Sequence, residues 1–114
     1  MKQRLLVMNG QKLLQTEHAG KWKVDKVEKA GPIRPGIYNL YLAAPADQAS
    51  AHVGVVLHAD TQFVYQQVGK TFIRHERTRF DQVPTLGAHV SIRYQHDHAM
   101  VAAVTLKLGR KLSR

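Results

Sequence analysis

Histidine, arginine and lysine supply the side chains in this chain that could do chemistry. His96-Asp97-His98 sets three potential metal donors in a row. Neighbours on a strand point to opposite faces, and a metal site needs donors converging from several segments, so the run is read as a solvated turn. His75 sits between Arg74 and Glu76, where an imidazole could act as a general base. A lone histidine near a strand end is read instead as a structural hydrogen-bonding residue. Ser50, Ser91 and Ser113 fall in a loop, on a strand face and in the tail, none at the sharp turn that exposes a serine nucleophile. Gly31 to Gly36 contains Pro32 and Pro35 and lacks the lysine and hydroxyl of a nucleotide-binding loop. There is no cysteine, which removes thiolate metal sites, thiol nucleophiles and disulfides. The expectation is a protein that is not an enzyme and carries no cofactor and no metal.

Binding chemistry has more to work with. Lys70, Arg74, Arg77 and Arg79 lie close in sequence to Tyr65 and Phe72, the ingredients of a cationic groove with stacking rings for nucleic acid. The competing reading places Tyr65 and Phe72 in the core and pairs the arginines with Glu76 and Asp81. Lys107, Arg110, Lys111 and Arg114 close the chain with no acid among them and could clamp phosphates. The seven histidines add positive charge below about pH 6.5, which would strengthen any anion binding in acid.

The formal net charge is +9, divided as +4 over residues 1–30, +1 over 31–106 and +4 over 107–114. Basic ends on a near-neutral body differ from a uniformly basic nucleic-acid groove. The apolar stretch at residues 5–8 is too short for a signal-peptide core, and no apolar run reaches membrane-spanning length. A cytoplasmic protein is expected.

Period-two alternation and turn residues define the elements that must position these groups. Asn9-Gly10 between apolar runs predicts a type I′ hairpin of residues 4–8 and 11–15. Trp22 and Val24 share one face of a third strand, with charges on the other. Residues 31–36 form an ordered connection, residues 37–42 resume a strand, and residues 43–50 read as a mobile loop or one helical turn. Strands follow at 52–57, 62–68, 71–75, 89–94 and 99–106, the last with a helix as the alternative because of Ala102 and Ala103. Phe63, Tyr65 and Gln67 take one face of their strand and Val64, Gln66 and Val68 the other, as in a central strand.

The expected fold is mainly β: a small antiparallel barrel or strongly bent sheet, SH3-like or OB-like, preceded by an N-terminal hairpin. One domain is expected over 1–114, comprising a meander at 1–30, a barrel-like core at 37–106 and a basic tail at 107–114.

The core resembles the KfrB-type domain of proteins encoded by conjugative plasmids and other mobile elements. The resemblance rests on Gly54-Val55-Val56, Val64-Tyr65-Gln66-Gln67 with Gly69 after it, His75, and Pro84-x-x-Gly87-x-x-Val90-x-Ile92-x-Tyr94. It implies an accessory binding module in plasmid maintenance or conjugative transfer, acting through a protein partner of that machinery, and it carries no catalytic residues. An exposed sheet edge or the loop from Gln82 to Gly87 would recruit the partner, and edge pairing would also permit a homodimer. The alternative is direct, sequence-tolerant binding of single- or double-stranded DNA by the basic-aromatic set.

Overall fold

A computed structural model describes residues 2–104. Ten strands form two sheets: β1 Gln3–Met8, β2 Gln11–His18, β3 Lys21–Lys29, β4 Gly36–Tyr38, β5 Ala44–Pro45, β6 His52–Ala59, β7 Phe63–Val68, β8 Thr71–Glu76, β9 His89–Gln95 and β10 His98–Ala103. No α-helix occurs among the described residues, and no helix is long and apolar enough to cross a membrane. The fold is mainly β, as the alternation predicts.

Three hairpins turn on paired left-handed residues, the signature of the type I′ geometry that matches strand twist. Asn9 and Gly10 have φ of 53° and 73°, Ala19 and Gly20 52° and 79°, and His96 and Asp97 52° and 63°. His96-Asp97 is thus the β9–β10 turn that the sequence suggests, while His98 begins β10 and pairs with Asp81 at 3.0 Å.

The first sheet runs β3-β2-β1-β4 and the second β10-β9-β6-β7-β8-β5. Every pairing is antiparallel except that of β5 with β8. One core lies between the sheets, with Leu5, Val7, Tyr38 and Leu40 against Leu57 and Tyr65. A second lines the other face of the second sheet, where Val56, Val64, Val90, Ile92 and Ala99 are covered by Phe80, Val83 and Leu86 of the 77–88 connection. β6 serves both cores through a bulge at Leu57, between the pairs Val56↔Gln66 and His58↔Tyr65. The extra residue turns Leu57 and His58 toward the first sheet while Val56 stays on the far side.

Three expectations are corrected. The second sheet curls but does not close into a barrel, since β10 and β5 are its ends and no pairing joins them. Residues 37–42 split into the short β4 and a 3-10 turn at Leu40–Leu42. Within the segment expected as a mobile loop, Ala44 and Pro45 add a parallel edge to β8, which tolerates proline because an edge strand needs amide donors on one side only. The final strand is β10 and not a helix; residues 105 and 106, with which that expectation ended, lie outside the described residues.

Alanine is strained at positive φ in a way that glycine and asparagine are not. Ala19→Asn is therefore expected to raise stability by up to about 1 kcal/mol in urea denaturation. Unchanged or lowered stability would contradict the left-handed geometry at Ala19.

Candidate functional site

The strand alternation of β7 and β8 turns Gln66 and His75 to the concave side of the second sheet, where both side chains are wholly buried. The Gln66 amide nitrogen donates toward three carbonyls, of His52 at 3.0 Å, Gly54 at 3.2 Å and Val90 at 3.1 Å. Its oxygen therefore faces His75, whose Nε2 lies 2.9 Å away. This assigns the proton to Nε2 and leaves Nδ1 to accept from the Tyr94 hydroxyl at 2.6 Å. Since β8 and β9 are separated by β6 and β7 in the sheet, the His75–Tyr94 bond spans the curl and fixes its depth.

Both ends of this chain are held neutral. Burial, with a smaller contribution from His52, lowers the His75 pKa to about 4, and burial pushes the Tyr94 hydroxyl up to about 12. The imidazole is a structural hydrogen-bonding residue, as its lone position suggests.

Gly54 explains part of the Gly-Val-Val motif. A Cβ at that position would stand 1.8 Å from the Gln67 carbonyl oxygen, so only glycine lets β6 and β7 approach there. Gly87 has φ of +87°, and a Cβ on it would meet Pro32 at 2.5 Å. It turns the 81–88 segment onto β6, with Gly87 N–H donating to Val56 O at 2.7 Å and Val56 N–H to Ala88 O at 3.0 Å.

That docked segment makes one wall of an open groove of about 610 Å³ whose other wall is β10. Val83, Pro84, Ala88, Val90, Val101 and Ala103 give it an apolar lining. Val104 N–H donates to His89 O at 3.0 Å, so the β9–β10 register makes Val104, Ala102 and Met100 the residues whose backbone groups face β9. Ala99, Val101 and Ala103 direct their N–H and C=O groups to the outer side, where no described strand pairs. The sheet edge and the Gln82–Gly87 loop, named separately from sequence, meet here in one groove.

The basic-aromatic set is not gathered into one platform. Tyr65 is buried between the sheets against His58. Lys70 sits on the exposed β7–β8 turn. Arg74 and Arg79 share a cleft of about 390 Å³ with Tyr94 and Phe63, but Arg74 donates to Ala43 O and Arg79 pairs with Glu76 at 3.0 Å. Arg77 donates to Asp60 O at 2.7 Å, at the neighbouring β6–β7 turn. These arginines brace loops across the sheet. Lys107, Arg110, Lys111 and Arg114 lie outside the described residues.

Lys12 carries no signal in the sequence that would place it inside, yet it is 3% exposed between the sheets. Its ammonium approaches Glu28 at 3.6 Å and Leu57 O at 3.5 Å, and burial lowers its pKa against the pull of Glu28. His58 is buried beside it, its pKa lowered first by burial and then by Lys12, and neither ring nitrogen has a protein hydrogen-bond partner among the described residues.

The KfrB Domain family model matches residues 51–103, the span from the start of β6 to the end of β10. Protein TraB of Escherichia coli is 31% identical over 101 residues, covering 86% of this chain and 69% of that protein. The relative thus extends the likeness into the first sheet, beyond the family model.

Two measurements test this site. A methyl at Gly54 is expected to cost at least about 3 kcal/mol, and a loss of under about 1 kcal/mol for Gly54→Ala in urea denaturation would contradict the close approach. His75 resists protonation in the folded state, so its contribution to stability is complete above the unfolded value of about 6.5 and is lost as pH falls toward about 4, a difference of about 3 kcal/mol. His75→Gln is expected to flatten the urea-midpoint profile over that window; an unaltered slope would contradict a buried neutral imidazole.

Proposed function

Since this chain belongs to the KfrB domain family, we propose that it is a non-enzymatic accessory binding module of a conjugative plasmid or related mobile element. It serves plasmid maintenance or transfer by capturing a protein partner of that machinery at the β10 edge. The outward backbone groups of Ala99, Val101 and Ala103, set beside an apolar groove, carry this reading.

An extended partner segment adds a strand to β10, and its backbone pairs with those three residues. Every second side chain then falls over the groove formed by Val83, Pro84, Ala88 and Val90. The matching segment is apolar at alternate positions, and a chain of net charge +9 favours acidic flanks on its partner. Repulsion between two such cationic copies weighs against self-pairing of β10, though the same edge could support it.

Val101→Pro separates binding from folding. The Val101 N–H points outward, so proline removes a donor the partner needs and none that β9 uses. In lysate of cells bearing the parent element, immobilised protein is expected to retain a protein that the variant, folded by circular dichroism, releases. Equal retention by both would move the interface off this edge. A concentration-dependent dimer seen by light scattering and lost in Val101→Pro would assign the edge to a second copy of the chain.

A further inference from the structure

The first sheet turns an unexpected face to solvent. Its inner face carries polar groups: Lys12 with Glu28, and Thr16 donating to Asp25. Trp22 and Val24, together with Val27, therefore point outward, and Val24 and Val27 are about half exposed. The register arranges that outer face in rows. Glu17 N–H donates to Lys2 O at 2.9 Å and Glu17 pairs with Trp22, which aligns Lys2, Glu17 and Trp22. Arg4, Gln15 and Val24 follow, and then Leu6, Leu13 and Val27 with Ile37 at the β4 edge.

Across the first two of these rows the side chains of Lys2, Arg4 and Trp22 form one surface with Tyr41. The Arg4 guanidinium carbon lies 4.1 Å from the centre of the Trp22 ring, and Arg4 Nε donates to the Gln15 side-chain oxygen Oε1 at 2.7 Å, which fixes the guanidinium in place. Tyr41, from the 3-10 turn, lies 6.2 Å from Trp22 at a 40° tilt, and the Lys2 ammonium stands 5.2 Å over the Tyr41 ring. Lys21 and Lys23 lie on the exposed β3 edge but alternate to the opposite face from Trp22, so the cations of these rows are Lys2 and Arg4. Against these cations Glu17 is the one carboxylate in the three rows.

We propose that this Lys2–Arg4–Trp22–Tyr41 surface binds single-stranded nucleic acid, stacking unpaired bases on Trp22, Tyr41 and the Arg4 guanidinium plane while the positive charges of Lys2 and Arg4 attract phosphates. Aromatic and guanidinium planes offer stacking to any base, and the alternation of rings with cations follows the alternation of bases with phosphates. Charge complementarity selects a polyanion over a neutral apolar partner for this end of the face, since Lys2 and Arg4 outweigh Glu17 there. A duplex keeps its bases stacked inside and offers phosphates alone. The surface is on the opposite sheet from the β10 groove, so the two sites work independently.

Trp22 is the only tryptophan in the chain, so its fluorescence reports on the site directly. The full chain is titrated with oligodeoxythymidylate and oligouridylate of about 20 nucleotides, and with a duplex of equal length. Single strands are expected to quench Trp22 saturably, with an association constant that falls with log salt at a slope of about −1.4 or steeper if Lys2 and Arg4 each displace one counterion. Equal quenching by the two single strands assigns binding to features they share, the pyrimidine ring and the phosphates; a preference for one identifies the 2′-hydroxyl or the thymine methyl as a recognised group. By anisotropy of a labelled strand, Trp22→Ala and Tyr41→Ala, both outside the two cores, are each expected to weaken binding about tenfold, while Arg93→Gln on β9 changes it little. Absence of quenching, equal quenching by the duplex, or undiminished binding by both aromatic variants would overturn the proposal.

Discussion

A primary amide sealed from water must find its partners inside the protein, and Gln66 finds four. Its nitrogen ties the carbonyls of His52, Gly54 and Val90 on β6 and β9, and its oxygen holds the His75 imidazole of β8, which receives the Tyr94 hydroxyl of β9. Leaving such a group unpaired costs about 1–3 kcal/mol, so the sheet takes the curvature that satisfies all of it at once. Gly54 permits the approach, and the left-handed Gly87 brings the 81–88 segment over the concave core. Much of the KfrB motif is the set of residues that this one buried network requires.

The curvature also decides what is left for binding. Side chains on the concave side are used up by the network and the apolar cluster around Ile92, and the convex side is covered by the first sheet. β5 covers part of the outer side of β8, whereas among the described residues the outer side of β10 borders only the groove formed with the docked segment. An open curl keeps an edge that a closed barrel would lose. The first sheet departs from a simple amphipathic sheet: the Lys12–Glu28 ion pair lies inward beside Leu5 and Val7, and aromatic, aliphatic and cationic side chains face solvent.

What the sequence made legible was mainly local. Asn9-Gly10 and His96-Asp97 specify turns through their tolerance of positive φ, and β7 shows its two faces in the alternation of Phe63, Val64, Tyr65 and Gln66. The Gln82–Gly87 loop and an exposed edge were each legible as a candidate surface, without any sign that they adjoin. Closure was not legible, because it depends on whether β10 and β5 meet, and alternation within each strand is the same in a barrel and in an open curl. Nor was the burial of Lys12, whose place follows from the pairing of Val7 with Lys12 and of Lys12 with Glu28. Of the Tyr65-centred platform only part is realised: Arg74 is the cross-strand partner of Tyr65 and stands over the Phe63 ring, but Tyr65 is buried between the sheets, and Arg77 and Arg79 turn to Asp60 O and Glu76. The aromatic-cationic surface of Trp22 and Tyr41 joins residues nineteen positions apart through β1 and the 3-10 turn, a proximity that no local pattern encodes.

The central claim is that the buried network holds the second sheet open, with β10 as an end that no described strand pairs. Residue-resolved amide hydrogen exchange of the dilute protein tests it most directly. Slow exchange at Met100, Ala102 and Val104, alternating with fast exchange at Ala99, Val101 and Ala103, is the predicted pattern. Uniform protection along all six amides at low concentration would contradict it, because the outer side of β10 would then be paired.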